Sequence, residues 1–272
     1  MIPVADLADP RVQAYRLVAD PHALEARNLF VAEGRLVVPR LLEASARPGR
    51  WRGAAQSVLL SPAAFAQLEP VVSAHPDVPV FVVPQSVMDG VVGFNIHRGC
   101  LALARRPEIP ALTREMVDSV SRVVVLEGVN NPDNIGGVFR GAAALGAELV
   151  VLGPACGDPL YRKAVRTSMG TTLEVPFARA EPWPGALALL RDAGLKVIAL
   201  TPETDALPLP RLTLGAKRVA LVAGAEGSGL SEAALAAADV RVTIPMSGRV
   251  DSLNVSTAVA IALYHVGVSV TS

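Results

Sequence analysis

Cysteine is almost missing from this 272-residue chain: Cys100 and Cys156 are the whole complement, with no C-x-x-C and no zinc-like spacing. That excludes a disulfide framework and a structural zinc module. Aromatic residues make up only 4% of the chain, so its core must be built from Ala, Val and Leu rather than stacked rings. Charge of one sign is lacking too, because 25 basic residues balance 25 acidic ones. A protein that holds nucleic acid through bulk charge would carry a basic excess. Four histidines (His22, His75, His97 and His265) offer no metal constellation and no plausible partner for a serine nucleophile. His265 reads as a helix residue with a satisfied partner. Long apolar runs are also absent. The nearest, residues 255–270, is interrupted by Ser, Thr, His and Gly and is shorter than the roughly 20 residues a membrane span needs. The opening MIPVADLADPRVQ has neither the basic nor the apolar region of a secretory signal. The expectation is a cytoplasmic protein with no membrane segment and no metal.

What is present is a hydrophobic majority, 51% of residues, enough for one large domain or two modest ones. The basic residues are nearly all arginine, with lysine only at 163, 196 and 217. Arginine pairs phosphate through a planar fork and stacks on bases, so a neutral chain can still own a local basic surface. Two clusters qualify: Arg47, Arg50 and Arg52, and Arg162, Lys163 and Arg166. The competing reading, a solvated or ion-paired face, is the commoner fate of such clusters.

Residues 1–105 alternate strand-like pieces (29–32, 57–60, 80–83, 101–104) with helix-like ones. One helix is expected over 36–46, with Pro39 either early in it or kinking it. Another starts at Ser61-Pro62, a cap followed by proline in the first turn. Residues 105–116, with two prolines and mixed charge, read as a linker. Beyond it, strands at 122–126, 149–152, 196–200, 219–222 and 240–243 alternate with helices at 135–145, 160–168, 186–193 and 232–237, before a last apolar helix. Such alternation implies a mainly parallel sheet covered on both faces. The division is therefore 1–105 as one domain, 106–118 as linker, and 119–272 as a second domain.

The densest chemistry lies in residues 244–256, IPMSGRVDSLNVS, where a strand end, a glycine-containing loop and a helix start meet. Unpaired N–H groups at a helix start favour negatively charged ligands. Ser252 and Asn254 there are also ordinary helix caps. Two further segments stand out: residues 131–146, NPDNIGGVFRGAAALG, and residues 221–230, LVAGAEGSGL. The latter does not follow the G-x-G-x-x-G spacing of a dinucleotide site. Taken alone, its glycines read as a tight turn entering a helix capped by Ser231.

In that order, these three segments resemble the three signature motifs of the SpoU–TrmH RNA 2′-O-ribose methyltransferases. The resemblance implies an α/β fold whose C-terminal domain is a trefoil-knotted SPOUT methyltransferase domain, although threading is nearly absent among folds in general. Residues 30–44, FVAEGRLVVPRLLEA, resemble more loosely the small ribosomal-protein-like substrate-binding domain that precedes it in part of the family. The implied cofactor is S-adenosyl-L-methionine, with contacts from Thr201, Gly224, Ile244, Ser252 and Leu253. The implied activity is methyl transfer to a ribose 2′-hydroxyl, by a homodimer. Ribosomal RNA is favoured over transfer RNA because of the extra N-terminal domain.

For catalysis the resemblance points to Arg140, Asn134, Glu226, Ser252 and Asn254. Arg140, on an otherwise Ala-rich helix, is costly to bury unpaired. It is either exposed, or paired with Glu127 or Glu148, or the group that binds substrate phosphate and stabilises a developing alkoxide. Asn134 either caps its helix or serves the site, Glu226 is either a loop carboxylate or a partner for positive charge, and Ser252 and Asn254 would orient the ribose or Arg140. Rival readings are a transfer RNA methyltransferase, an RNA-binding protein of the same fold without catalysis, and a nucleotide- or phosphate-metabolite enzyme built on the glycine loop. The presence of all five catalytic positions disfavours the second, and the missing dinucleotide spacing the third.

Overall fold

A computed structural model describes residues 1–6, 8–93, 96, 99–214 and 218–271. His97 and Lys217 lie outside the described residues. The chain runs β1 (Ile2–Pro3), a 3-10 helix (Pro10–Ala19), α1 (Pro21–Ala26), β2 (Leu29–Glu33), α2 (Val37–Ala46), β3 (Ala55–Leu60), α3 (Pro62–Ser73), β4 (Val80–Val82), α4 (Gln85–Val92) and β5 (Cys100–Arg105). It continues through α5 (Arg114–Asp118), β6 (Arg122–Glu127), α6 (Pro132–Leu145), β7 (Leu149–Leu152), α7 (Arg162–Thr167), β8 (Phe177–Arg179), α8 (Gly185–Asp192) and β9 (Lys196–Leu200). Last come β10 (Leu207–Pro208), β11 (Val219–Gly224), α9 (Glu232–Ala237), β12 (Val240–Thr243) and α10 (Val255–Thr271).

Two compact units result. The first contains Met1–Glu108 and also Pro159–Glu174. Its five strands are ordered β1-β4-β3-β5-β2, with β5 antiparallel to both β3 and β2. Ser61 caps α3 through its hydroxyl, which accepts from the Ala64 N–H. Pro39 is the third residue of α2, early enough that no carbonyl of its own helix needs its missing N–H. The return segment 159–174 buries Leu160, Ala164, Val165 and Leu173 and also brings this unit opposite charge. Glu33, at the end of β2 and only 5% exposed, accepts from the guanidinium groups of Arg162 and Arg166 on α7. A carboxylate so deeply placed requires opposite charge beside it. The expectation of one unbroken domain from residue 119 onward is corrected accordingly.

Four arginines of the two clusters make internal contacts, while Arg52 is exposed. Arg162 and Arg166 hold Glu33, and Arg47 pairs with Glu43 one turn away. Arg50 stacks over Trp51 at 5.3 Å and donates to the Glu108 carbonyl; burial lowers its pKa to about 10.

The second unit contains Ile109–Asp158 and Val175–Ser272. Its seven strands are all parallel, ordered β10-β12-β9-β11-β6-β7-β8. The Val- and Leu-rich β6, β7 and β11 are buried nearly throughout, as strands covered on both faces must be. Neither β8 nor β10 was expected. They are three and two residues long at the sheet's two edges, too short for a period-2 pattern to register. Residues 110–112, placed in the expected linker, extend the β8 edge: Leu112 N–H donates to the Arg179 carbonyl and Arg179 N–H to that of Pro110, each at 2.8 Å. No helix among the described residues is long and apolar enough to cross a membrane.

Candidate active site

The carboxyl ends of β9, β11 and β12 open into a cleft of about 350 Å³, the usual ligand position in a parallel α/β sheet. All five residues expected to hold the cofactor line it: Thr201 just past β9, Gly224 ending β11, Ile244 just past β12, and Ser252 and Leu253 before α10. Met246, Leu253 and Ile244 give part of its wall an apolar surface, and Glu226 adds a carboxylate at the loop. Among the described residues, the lining has no histidine, and no group of three or more His, Cys, Asp or Glu converges on a metal position.

Gly224 has a steric reason for its identity. The loop after β11 folds back so closely that a Cβ at 224 would lie 2.2 Å from the Gly229 carbonyl carbon and 2.5 Å from the Leu230 nitrogen. Any side chain here would drive the loop away from the strand end. The loop is pinned at its far end by Glu127, the last residue of β6 and 8% exposed. Its carboxylate accepts from Ser231 N–H (2.9 Å), Ser231 O–H (2.8 Å) and Trp183 Nε1–H (2.6 Å). Ser231 also caps α9 by accepting from Ala234 N–H. Glu127 is therefore not the partner of Arg140, and Glu148 is not either, since its Oε2 accepts from the backbone N–H groups of Ser121 and Arg122.

Beside the cleft, three of the expected catalytic residues meet. Asn254 Nδ2 donates to Asn134 Oδ1 at 2.7 Å and to Glu226 Oε1 at 2.8 Å. Its Oδ1 accepts from Ser256 N–H (3.0 Å), Ser256 O–H (2.6 Å) and Thr257 N–H (3.4 Å). Asn254 therefore caps α10 with one end of its amide and organises the site with the other. Because Glu226 only accepts and the helix N–H groups only donate, the amide's orientation is determined by its neighbours. Asn134 is not a cap. The helix starts at Pro132, and Asn131 caps it by accepting from Asp133 N–H at 2.9 Å. Asn134 is buried instead, at 6% exposure, two residues into α6.

The remaining catalytic candidates stand apart from that network. Arg140 is exposed on α6 and has no hydrogen-bond or ion-pair partner among the described residues. Ser252 is exposed on the cleft wall. Ser256, Glu127 and Gly137 escaped sequence reasoning as members of the site. Gly137 lets α10 cross α6, since a Cβ there would approach Ser256 Oγ to 2.7 Å. The one sequence signal was the pairing of small residues with the Ala-rich α10.

These features define a class: an α/β protein with a ligand cleft at the carboxyl edge of a parallel sheet and a polar amide–carboxylate set beside it. Residues 121–264 match the model of the SpoU rRNA Methylase family, over half of the chain, and the chain belongs to that family of RNA methyltransferases. It is 42% identical over 268 residues to an uncharacterised tRNA/rRNA methyltransferase of Mycobacterium tuberculosis, covering 96% of this chain and 90% of that one. It is 27% identical over 190 residues to the 23S rRNA (guanosine(2553)-2′-O)-methyltransferase of Bacillus subtilis, covering 67% of this chain and 75% of that one. Among solved structures, the AdoMet-bound rRNA methyltransferase from Sinorhizobium meliloti shares the fold with a TM-score of 0.79 at 24% identity, covering 97% of this chain and 96% of that one.

Proposed function

We propose that this protein transfers a methyl group from S-adenosyl-L-methionine to a ribose 2′-hydroxyl of RNA, with ribosomal RNA as the substrate class. The observation that carries the reading is the convergence of Thr201, Gly224, Ile244, Ser252 and Leu253 on one cleft, next to the bonded set Asn134, Asn254 and Glu226. The cleft suits the cofactor. Gly224 holds its loop against the strand end where a larger residue could not, and the apolar wall of Ile244, Met246 and Leu253 accommodates an adenine face. The 2′-O chemistry and the ribosomal target are what the Bacillus subtilis relative is named for. The Sinorhizobium meliloti neighbour holds the same cofactor.

When bound, S-adenosyl-L-methionine supplies an electrophilic sulfonium methyl. The chain's own contribution is positioning, worth up to about 7–11 kcal/mol of a barrier when alignment is good. Arg140, exposed and unpaired among the described residues, binds substrate phosphate and stabilises the developing alkoxide. A guanidinium offers donors and no acceptor, so Arg140 acts by charge and hydrogen bonding rather than by taking a proton. Asn134 and Glu226 are held in place by Asn254, and Ser252 faces the ribose from the cleft wall. We read the chain path as the trefoil threading that the family resemblance implies, the first unit as the RNA-binding domain, and the assembly as a cytoplasmic homodimer. Ile261 and Tyr264, exposed on α10, favour the dimer because large apolar groups on one helix face mark interaction surfaces.

The test is transfer of labelled methyl from S-adenosyl-L-methionine to unmodified ribosomal and transfer RNA, followed by alkaline hydrolysis. Label in an alkali-resistant dinucleotide from ribosomal RNA, lost with Arg140→Ala, is the expected result. Label only in transfer RNA would change the substrate class. Label in mononucleotides would replace the mechanism with base methylation, and no label on either RNA would favour a catalytically silent RNA binder.

A further inference from the structure

An asparagine side chain has two N–H donors and one oxygen with two lone pairs. At Asn254 both donors are engaged, one on Asn134 and one on Glu226. Its oxygen takes the Ser256 and Thr257 N–H groups and the Ser256 hydroxyl. No capacity is left for a substrate. Asn254 is thus saturated by the protein, and whatever it does to a reaction it does through Asn134 and Glu226.

The shortest of its bonds is the one from the Ser256 hydroxyl, at 2.6 Å. That hydroxyl is held over Gly137, where a Cβ would approach Ser256 Oγ to 2.7 Å and Ser256 Cβ to 2.8 Å. The rotamer is therefore confined by α6 on one side and by Asn254 on the other. A donor that polarises the amide oxygen also strengthens the N–H bonds at the other end of the same amide. The chain of contacts is continuous: Gly137 confines Ser256, Ser256 locks Asn254, and Asn254 orients Asn134 and Glu226. Asn134 in turn uses its oxygen on Asn254, which points its own amide donors away from Asn254 and leaves them for another acceptor.

We propose that Ser256 is a positioning residue for the methyl-transfer site, acting through the Asn254 amide to aim the donors of Asn134 and the carboxylate of Glu226. The inference rests on the proposed methyl-transfer reading for its kinetic consequence, while its structural consequence can be measured without any turnover. In the full-length protein, the side-chain amide signals of Asn254 and Asn134 would be assigned in nitrogen–proton correlation spectra from the single variants Asn254→Asp and Asn134→Asp. Ser256→Ala is then compared with Thr257→Ala, which removes a neighbouring hydroxyl from the same helical turn.

With Ser256→Ala, both amide pairs should shift, and their exchange with solvent should quicken about three- to tenfold, the range expected for one lost hydrogen bond. Thr257→Ala should leave both pairs in place. In methyl transfer, Ser256→Ala should lower kcat by a similar factor, with KM for S-adenosyl-L-methionine unchanged. Unmoved amide signals in Ser256→Ala would overturn the proposal, as would equal shifts in the two variants. An unchanged kcat in an active enzyme would also overturn it. If the wild-type protein transfers no methyl to any RNA, the functional reading fails by itself, and the amide spectra still decide whether Ser256 positions Asn254.

Discussion

At the scale of single residues, the site separates groups that are already committed from groups that are free. Glu127 and Asn254 are fully engaged within the protein, whereas Arg140 is unpaired among the described residues. The substitution Arg140→Lys should therefore keep measurable methyl transfer, reduced by about ten- to a hundredfold, because a point charge replaces a planar fork. Arg140→Ala should fall below detection, and neither change should move the melting temperature by more than a degree or two. Parallel kinetics and thermal melts check this, and complete loss with lysine would count against a purely electrostatic role. Cys100 offers a separate check. Burial pushes its thiol up to about 12, so it should not react with a thiol reagent at pH 8 until the protein is unfolded. The sign follows from the thiolate being the reactive form: a raised pKa keeps that form scarce until the pH nears 12.

At the scale of elements, the crossing of α6 and α10 makes opposite forecasts for two glycines four residues apart. A Cβ at Gly137 meets Ser256 at 2.7 Å, while one at Gly141 meets only the Ala260 Cβ at an ordinary 3.7 Å. Gly137→Ala should destabilise the second unit by about 1–3 kcal/mol through overpacking. Gly141→Ala should leave it unchanged or add up to about 1 kcal/mol from helix propensity. Urea midpoints followed by circular dichroism would show the two moving apart. The tie from β6 to α9 is a second element-scale device. Glu127→Ala leaves the donors of Trp183 and Ser231 without their acceptor, which should cost about 2–4 kcal/mol. It should also weaken cofactor binding, measured by calorimetry, because the glycine loop loses its anchor. Much at this scale was legible beforehand. The buried strands β6, β7, β9 and β11 declare themselves as apolar runs rich in Val, Leu and Ala, and Ser61-Pro62 and Ser231 mark helix starts by chemistry alone. Asn134 was harder to place, because a capping preference is local and the Asn254 partner lies 120 residues away. The neighbouring Asn131-Pro132 pair, a cap followed by proline in the first turn, carries the stronger start signal.

At the scale of the whole molecule, the alternation of strand and helix was enough to read a mainly parallel α/β fold, whereas the cleft residues came from the family resemblance of three segments, since their residue types alone fit helix caps and a tight turn equally well. The ownership of residues 159–174 was not readable, because Glu33 and the arginines that hold it are separated by 129 and 133 positions. Nothing in either segment's own pattern points to the other. Glu33→Ala should release α7 from β2, and hydrogen exchange over 162–174 should then rise by at least tenfold while β6 and β11 stay protected. Equal protection in both proteins would mean that packing rather than charge holds the segment.

That shared ownership also sets an order of events during synthesis. The first unit is unfinished when Glu108 is made, and it stays so until Glu174 has been added. At roughly 5–20 residues per second this is a wait on the order of seconds, during which Glu33 lacks Arg162 and Arg166 beside it. The same interlacing means that no single cut of the chain yields two whole halves. A fragment starting at residue 109 carries α7 without its acidic partner, and one ending at residue 108 carries that partner without α7.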